Sequence, residues 1–231
     1  MSQNENYITN KNIEKLRRNE PTNFLDPKEL KNITNKLKKN EYNIFTPYND
    51  SDKIILYNNK IPKVKLLEII TYNPLTHREI LGSLFALNIS SDTFGDIIIN
   101  NNKYYFFIID TIYDLLLRDF NTIGNKPIKL KEIPLDTISN YQRQYEEINL
   151  IVSSLRIDTI ISRLIQTNRN NIKTLITKKE IILNYNPLTN NSYLLKENDI
   201  FSIRKYGKYK FLGIIKTTKK DNLIIKLNKY I

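Results

Sequence analysis

The charge of this chain changes abruptly along its length, and no other feature limits its organisation as strongly. Residues 155–231 hold sixteen Lys or Arg against five Asp or Glu, a net +11. Residues 1–154 hold twenty against nineteen, a net +1. A coding bias toward Lys, of the kind that the abundance of Asn, Ile, Lys and Tyr suggests, would spread cations evenly. The excess is instead confined to the last third, which points to a C-terminal module that binds a polyanion. Local helix and strand signals along the chain give an α+β expectation. Residues 1–145 form an N-terminal region, in one piece or in two small lobes split near 70–75, and residues 146–231 form the basic module.

The rest of the composition narrows the class. The 231 residues leave room for one large domain or two to three small ones, and 40% hydrophobic content is enough to bury cores. No apolar run reaches the roughly 18 residues of a membrane-spanning helix. The segment from Met1 to Lys15 is polar and lacks the apolar centre of a signal peptide. Cysteine is absent, which removes disulfides and thiolate metal sites. Together these features give a cytoplasmic expectation, with no membrane partner.

Local signals place regular elements in both parts. Residues 1–20 read as a helix or a frayed end. Asp26-Pro27-Lys28-Glu29 is a helix start: Asp caps, Pro takes the first helical position, and Glu follows three after the Asp. That helix is expected to reach about Asn40, with Leu30, Ile33 and Leu37 on one face. Residues 53–57 and 64–72 read as strands. Thr76 caps a helix over 76–88, and Glu79 completes its capping box. Segments 97–99 and 104–109 flank Asn100-Asn101-Asn102 as a hairpin. Residues 110–120 read as a helix, 125–145 as extended and irregular, and 147–152 as a strand. In the basic part, helices near 155–166 and 169–178 precede strands at 181–184, 200–204, 209–216 and 223–227. Two short helices followed by a small sheet is a compact RNA-binding layout.

The candidate contacts lie in that part. Arg156 is expected in the first turn of a helix, where it can reach a phosphate, with Asp158 capping or orienting neighbours; the bland alternative is an Arg156–Asp158 pair within the helix. Arg169 opens the second helix, and Lys173 and Lys178 can share a broad side with it. Helix N-termini attract anions, and Arg offers a planar fork for phosphate. Lys179 follows in the turn into the next strand. Arg204, Lys205, Lys208 and Lys210 line the loop around Gly207.

The order of these residues resembles the RNA-binding domain first recognised in ribosomal small-subunit protein four, the S-four domain. Its pattern runs Arg-Leu-Asp, Ser-Arg, Ile-x-x-Gly-x-Val-x-Val-Asn and Gly-Asp-x-Ile-x-Val. Here Arg156-Ile157-Asp158, Asn168-Arg169, the run from Ile176 to Asn184, and Asn198-Asp199-Ile200-Phe201-Ser202-Ile203 stand in those places. Lys179 and Asn198 replace the family's glycines. The resemblance extends to the YlmH family through Phe24-Leu25-Asp26-Pro27, His77-Arg78-x-x-Leu81-Gly82-Ser83-Leu84, Phe94-Gly95-Asp96-Ile97, Val152 to Asp158, Ser202 to Tyr209 and Thr217 to Asp221. These matches are in family order from about residue 24 to residue 221. The resemblance implies a two-lobed N-terminal region and a C-terminal S-four domain. It also implies binding to rRNA and tRNA on the large ribosomal subunit bearing peptidyl-tRNA, in rescue of stalled translation. Contacts carried over centre on Arg156 and Arg169, supported by Lys173, Lys178, Lys179, Arg204, Lys205, Lys208 and Lys210.

Enzyme readings find little support. The five glycines make no Gly-x-Gly, so no dinucleotide or phosphate-cradling loop is present. One His and no Cys make tetrahedral zinc implausible, and no cofactor is expected. His77 as a general base would need partners such as Ser83 or Asp96; a capping or packing role fits it better. Paired synthetase histidines and a Gly-Arg-Leu-Asp run in 1–154 are both missing. The competing hypothesis is an rRNA- or tRNA-modifying enzyme drawing on Asp92, Asp96 and Asp110. Gly95-Asp96 reads as a turn before a strand. Tyr104-Tyr105-Phe106-Phe107 could stack bases, but strand alternation favours a core role. An anionic-membrane binder ranks last.

Overall fold

Two helices open the chain, α1 (Gln3–Arg17) and α2 (Pro27–Thr34), and they bury Ile13, Leu16 and Ile33 with Leu25 and Leu56. The computed structural model describes residues 3–231, divided into two units, 1–142 and 143–231. The helix start at Asp26 is built as a full capping box. The Asp26 carboxylate accepts from the Glu29 amide at 2.8 Å, and the Glu29 carboxylate accepts from the Asp26 amide at 3.0 Å. The helix stops at Thr34, short of the expected Asn40. Thr34 Oγ1 turns back to the Leu30 carbonyl and Asn35 forms the cap, both being residue types that compete for backbone groups. Leu37 still packs on this core from outside the helix.

An antiparallel ribbon of β1 (Asn43–Phe45) and β2 (Ile55–Tyr57) follows. The centre of the unit is then built from β3 (Val64–Ile70), α3 (His77–Ala86), β4 (Phe94–Asn100), β5 (Lys103–Ile109) and α4 (Tyr113–Asp119). The short ribbon of β6 (Thr122–Ile123) and β7 (Lys126–Pro127) leads to β8 (Lys129–Ile133). The central sheet has the order β4-β5-β3-β8 with every neighbour antiparallel. This is the β-α-β-β-α-β arrangement of split βαβ folds. The lobe boundary expected near 70–75 falls inside it, at the end of β3 and in the loop before α3. The β4–β5 hairpin closes through Asn101 and Asn102 at φ 49° and 59°, the two positive angles of a type I′ turn. The region read as irregular, 125–145, contains β8 and a 3₁₀ turn, Leu135–Ile138.

Strand β5 is buried on both faces. Tyr104, Phe106 and Ile108 pack with Ile80, Leu84 and Leu116 of α3 and α4. Tyr105 and Phe107 pack on the opposite face with Phe24, Tyr48, Ile55 and Ile138. The four aromatic residues are thus core, half of them on each side. Gly95, read as part of a turn, lies instead within β4 at a register shift. A Cβ there would meet Phe107 Cβ at 2.9 Å and the Phe24 ring at 3.0 Å, so close packing of strand on ring requires glycine.

The second unit comprises β9 (Tyr145–Val152), α5 (Ile157–Leu164), α6 (Arg169–Thr177), β10 (Ile181–Leu183), β11 (Asn186–Pro187), β12 (Ile200–Ile203), β13 (Gly207–Thr217) and β14 (Leu223–Tyr230). Its sheet has the order β11-β10-β12-β13-β14-β9, so the first strand closes against the last. One face packs Phe201, Ile203, Tyr209, Phe211, Ile225 and Leu227 against Ile157, Ile160, Ile161 and Ile172 of the two helices. By the two-residue alternation of a strand, Ser202, Lys208, Lys210 and Tyr230 fall on the other face.

Candidate nucleic-acid interface

Helix α5 begins at Ile157, not at Leu155, and this changes the role of Arg156. It occupies the N-cap position in extended backbone, outside the first turn. Its guanidinium forks onto Asp158, with Nε to Oδ1 at 3.1 Å and the second contact at 2.7 Å. Asp158 is only 4% exposed and also accepts from the Thr159 amide at 2.8 Å. The Arg156 guanidinium holds the Asp158 carboxyl below its ordinary range, and the charge of Arg169 acts in the same direction. The bland pairing of Arg156 with Asp158 is therefore present, and it leaves the Arg156 side chain 40% exposed.

Arg169 is the first residue of α6. Asn168 caps that helix by accepting from the Asn171 amide at 2.9 Å. Lys173 lies about one turn further on, and both cations are exposed. The other end of α6 is a Schellman motif. The Lys179 amide donates to Ile176 and the Glu180 amide donates to Leu175, each at 2.9 Å. Lys179 has φ 56° and Asn198 has φ 70°. Both residues that replace glycine in the S-four pattern therefore adopt the left-handed backbone that glycine supplies.

Beyond that helix end the sheet register completes a site. Pairing of Ile181 with Ile203 sets the start of β10 beside the end of β12. Lys178 and Lys179 thereby meet Arg204 and Lys205 around one open groove of about 440 Å³, floored by Ile182 and Ser202. Arg204 donates through its amide to the Glu180 carbonyl at 2.9 Å and forms an ion pair with the Glu180 carboxylate at 3.3 Å. All four cations are exposed. Of the nine candidates, Lys178, Lys179, Arg204 and Lys205 share this groove. Arg156 is paired with Asp158, and Arg169 and Lys173 lie along α6. Lys208 and Lys210 stand on the outer sheet face, half-buried. The sequence reading missed the aromatic partners of Lys208: its Nζ lies 4.5 Å from the Tyr230 ring centre and 5.3 Å from that of Tyr185. Strand alternation around 223–230 carried a signal for Tyr230; nothing local marked Tyr185.

The carboxylates weighed for catalysis serve as ties between loops and the sheet of the first unit. Asp96 accepts from Tyr48 Oη at 2.8 Å, Ser51 Oγ at 3.1 Å and the Asp52 amide at 2.8 Å. Asp92 accepts from Asn23 at 2.8 Å and from Ser90. Asp110 pairs with Lys65 at 3.6 Å. His77 is the exposed first residue of α3, beside the capping Thr76. Among the described residues no group of three or more His, Cys, Asp or Glu is placed to hold a metal ion, and no helix is long and apolar enough to cross a membrane.

Comparison with known proteins locates one match within the first unit. Residues 61–137 match the family model described as "Putative RNA-binding domain in YlmH". Over 145 residues, 63% of this chain, the sequence is 26% identical to the "Ribosome-associated protein quality control protein P2" of Bacillus subtilis (strain 168). That match spans 56% of the relative's own length. A solved structure, "Cell division protein ylmH from Streptococcus pneumoniae", aligns with a TM-score of 0.48 at 19% identity, over 58% of this chain and 93% of that one. The resemblance to the YlmH family read from the motifs is thus met by a family model and by homology to a curated protein. The matched model coincides with the β-α-β-β-α-β sheet of the first unit. That segment holds eight Lys or Arg and nine Asp or Glu, so charge alone could not have marked it. RNA-recognition modules with a four-stranded sheet stack bases on sheet aromatics. Here Phe107 is already stacked by Tyr48, with ring centres 5.9 Å apart and planes 7° apart, and Tyr141 meets Tyr48 edge-on at 5.6 Å.

Proposed function

We propose that this chain is a non-catalytic RNA-binding factor that associates with the ribosome in quality control of stalled translation. Residues 146–231 act as an S-four-type domain that engages rRNA and tRNA on the large subunit bearing peptidyl-tRNA. The observation that carries this reading is the convergence of Lys178, Lys179, Arg204 and Lys205 on one groove, next to the end of α6. Exposed cations with flexible stems neutralise backbone phosphates, and the Arg fork adds geometry. Arg156, Arg169 and Lys173 extend the contact along the helices, and Lys208 and Lys210 along the sheet. The relative named for ribosome-associated quality control and the family named for RNA binding, whose model matches residues 61–137, support the broader reading of RNA binding at the ribosome. The N-terminal unit, close to neutral, supplies contacts with RNA shape or with ribosomal proteins and other quality-control factors. The protein needs no cofactor for this role: bound across tRNA and rRNA, it biases the position of the tRNA while the stalled chain is extended or released.

Sedimentation of ribosomal subunits from cells, at low and raised salt, tests the proposal. Expected is co-migration with large subunits that carry peptidyl-tRNA, lost as salt rises. Migration as free protein at both salts rejects it.

A further inference from the structure

The outer face of the C-terminal sheet carries an arrangement that the basic groove does not use. Register places Tyr145 opposite Tyr230 on neighbouring strands, and Ser202 opposite Lys208. The Tyr145 and Tyr230 rings meet edge to face at 5.1 Å, at 79°. Lys208 Nζ lies 4.5 Å from the centre of Tyr230 and 5.3 Å from that of Tyr185, and the Arg143 guanidinium lies 5.3 Å from Tyr230. All five residues are half-buried. One row across the sheet therefore runs Ser202, Lys208, Tyr230 and Tyr145, with Arg143 over Tyr230 and Tyr185 beside Lys208. The row runs into the groove through Ser202, which lines the groove and pairs with Lys208.

We infer that this row is a stacking platform for a single-stranded RNA segment whose phosphates continue into the groove. The inference rests on the reading of the C-terminal unit as RNA-binding and adds the class of RNA that this unit takes. Every base has a π face, so aromatic side chains spaced along a basic track hold single strands with little regard to sequence. A duplex keeps its bases stacked on one another and offers this row only its backbone. Lys208 lies over the Tyr230 ring, so a base that stacks there takes the place of the ammonium, which swings to the phosphate of that nucleotide.

The test uses the full chain in fluorescence anisotropy with an end-labelled single-stranded RNA of about 12 nucleotides, and with a blunt duplex of the same sequence. Tyr185→Leu combined with Tyr230→Leu keeps apolar bulk but removes the rings; Tyr185→Phe combined with Tyr230→Phe keeps the rings. The leucine pair is expected to lose on the order of 10-fold or more in single-strand affinity, the phenylalanine pair to keep it, and duplex affinity to stay level in both. Lys208→Gln should flatten the salt dependence by about 0.7 log unit per log unit of salt, one contact for a single strand. Unchanged single-strand affinity in a leucine pair that melts like the parent overturns the platform and leaves the groove assignment standing. Failure of the unaltered chain to bind either RNA overturns both. Ultraviolet cross-linking of the unaltered chain to the single strand needs no variant. Nucleotides attached at Tyr145, Tyr185 or Tyr230 support the platform, and attachment confined to other segments refutes it.

Discussion

Asp158 and Lys179 show how single residues set the terms of the basic unit. Asp158 is a buried carboxylate answered by a two-point contact from Arg156, so the pair stabilises the start of α5 as well as presenting a cation. Asp158→Asn removes the charge from both bonds and should lower stability to urea at pH 7 by about 1–3 kcal/mol. The pH dependence has a definite sign. The folded carboxyl lies below its ordinary range, so its contribution is complete above the unfolded value of about 3.9 and is lost as pH falls through the lower folded value. The difference between parent and Asp158→Asn should therefore shrink as pH falls from about 5 through the lowered folded value, and a difference that stays constant would show the carboxyl to be unperturbed. Lys179 illustrates a different exchange. A side chain in left-handed backbone costs roughly 1–2 kcal/mol, which glycine avoids. Lys179→Gly should raise the melting temperature while weakening RNA binding, the signature of a residue kept for its charge at the expense of the fold.

At the level of elements, what could be read in the sequence was what local chemistry decides. The capping boxes at Asp26–Glu29 and Thr76–Glu79, the asparagine turn after β4 and the order of two helices before a sheet are all set within a few residues. The premature end of α2 and the late start of α5 show the usual cost at boundaries, where Thr, Asn and an extended Arg displace helix. Tertiary cover was not legible. Alternation separates Tyr104 and Phe106 from Tyr105 and Phe107, but only the fold brings Phe24, Tyr48 and Ile138 onto the second group. The candidate site divides in the same way. Arg169 at a helix start follows from its neighbours, whereas the meeting of Lys178–Lys179 with Arg204–Lys205 needs the register of β10 on β12. Packing also fixes a prediction for β4. Gly95→Ala sets a methyl group against Phe107 and Phe24 and should cost about 1–3 kcal/mol, measured by thermal melting, without reducing RNA affinity per folded molecule.

Over the whole molecule, two kinds of evidence point to different units. The family model for RNA binding matches residues 61–137, which are close to neutral, while the cations concentrate in residues 143–231, with seventeen Lys or Arg against seven Asp or Glu. These signals are compatible, because affinity and recognition have different physical sources. Phosphate neutralisation supplies affinity and a steep salt dependence, whereas shape and hydrogen bonding can act from a neutral surface. The division of labour is measurable as a slope. Replacing Lys178, Lys179, Arg204 and Lys205 by Gln removes four cations from one groove. If each neutralises one phosphate, the fall of log affinity with log salt should become shallower by about 3, at 0.7–0.9 per contact. Substituting Lys103, Lys126, Lys129 and Lys131 of the matched segment by Gln should leave that slope nearly unchanged. The reverse result would assign the electrostatic anchor to the N-terminal unit and reduce the C-terminal charge to a solvated surface.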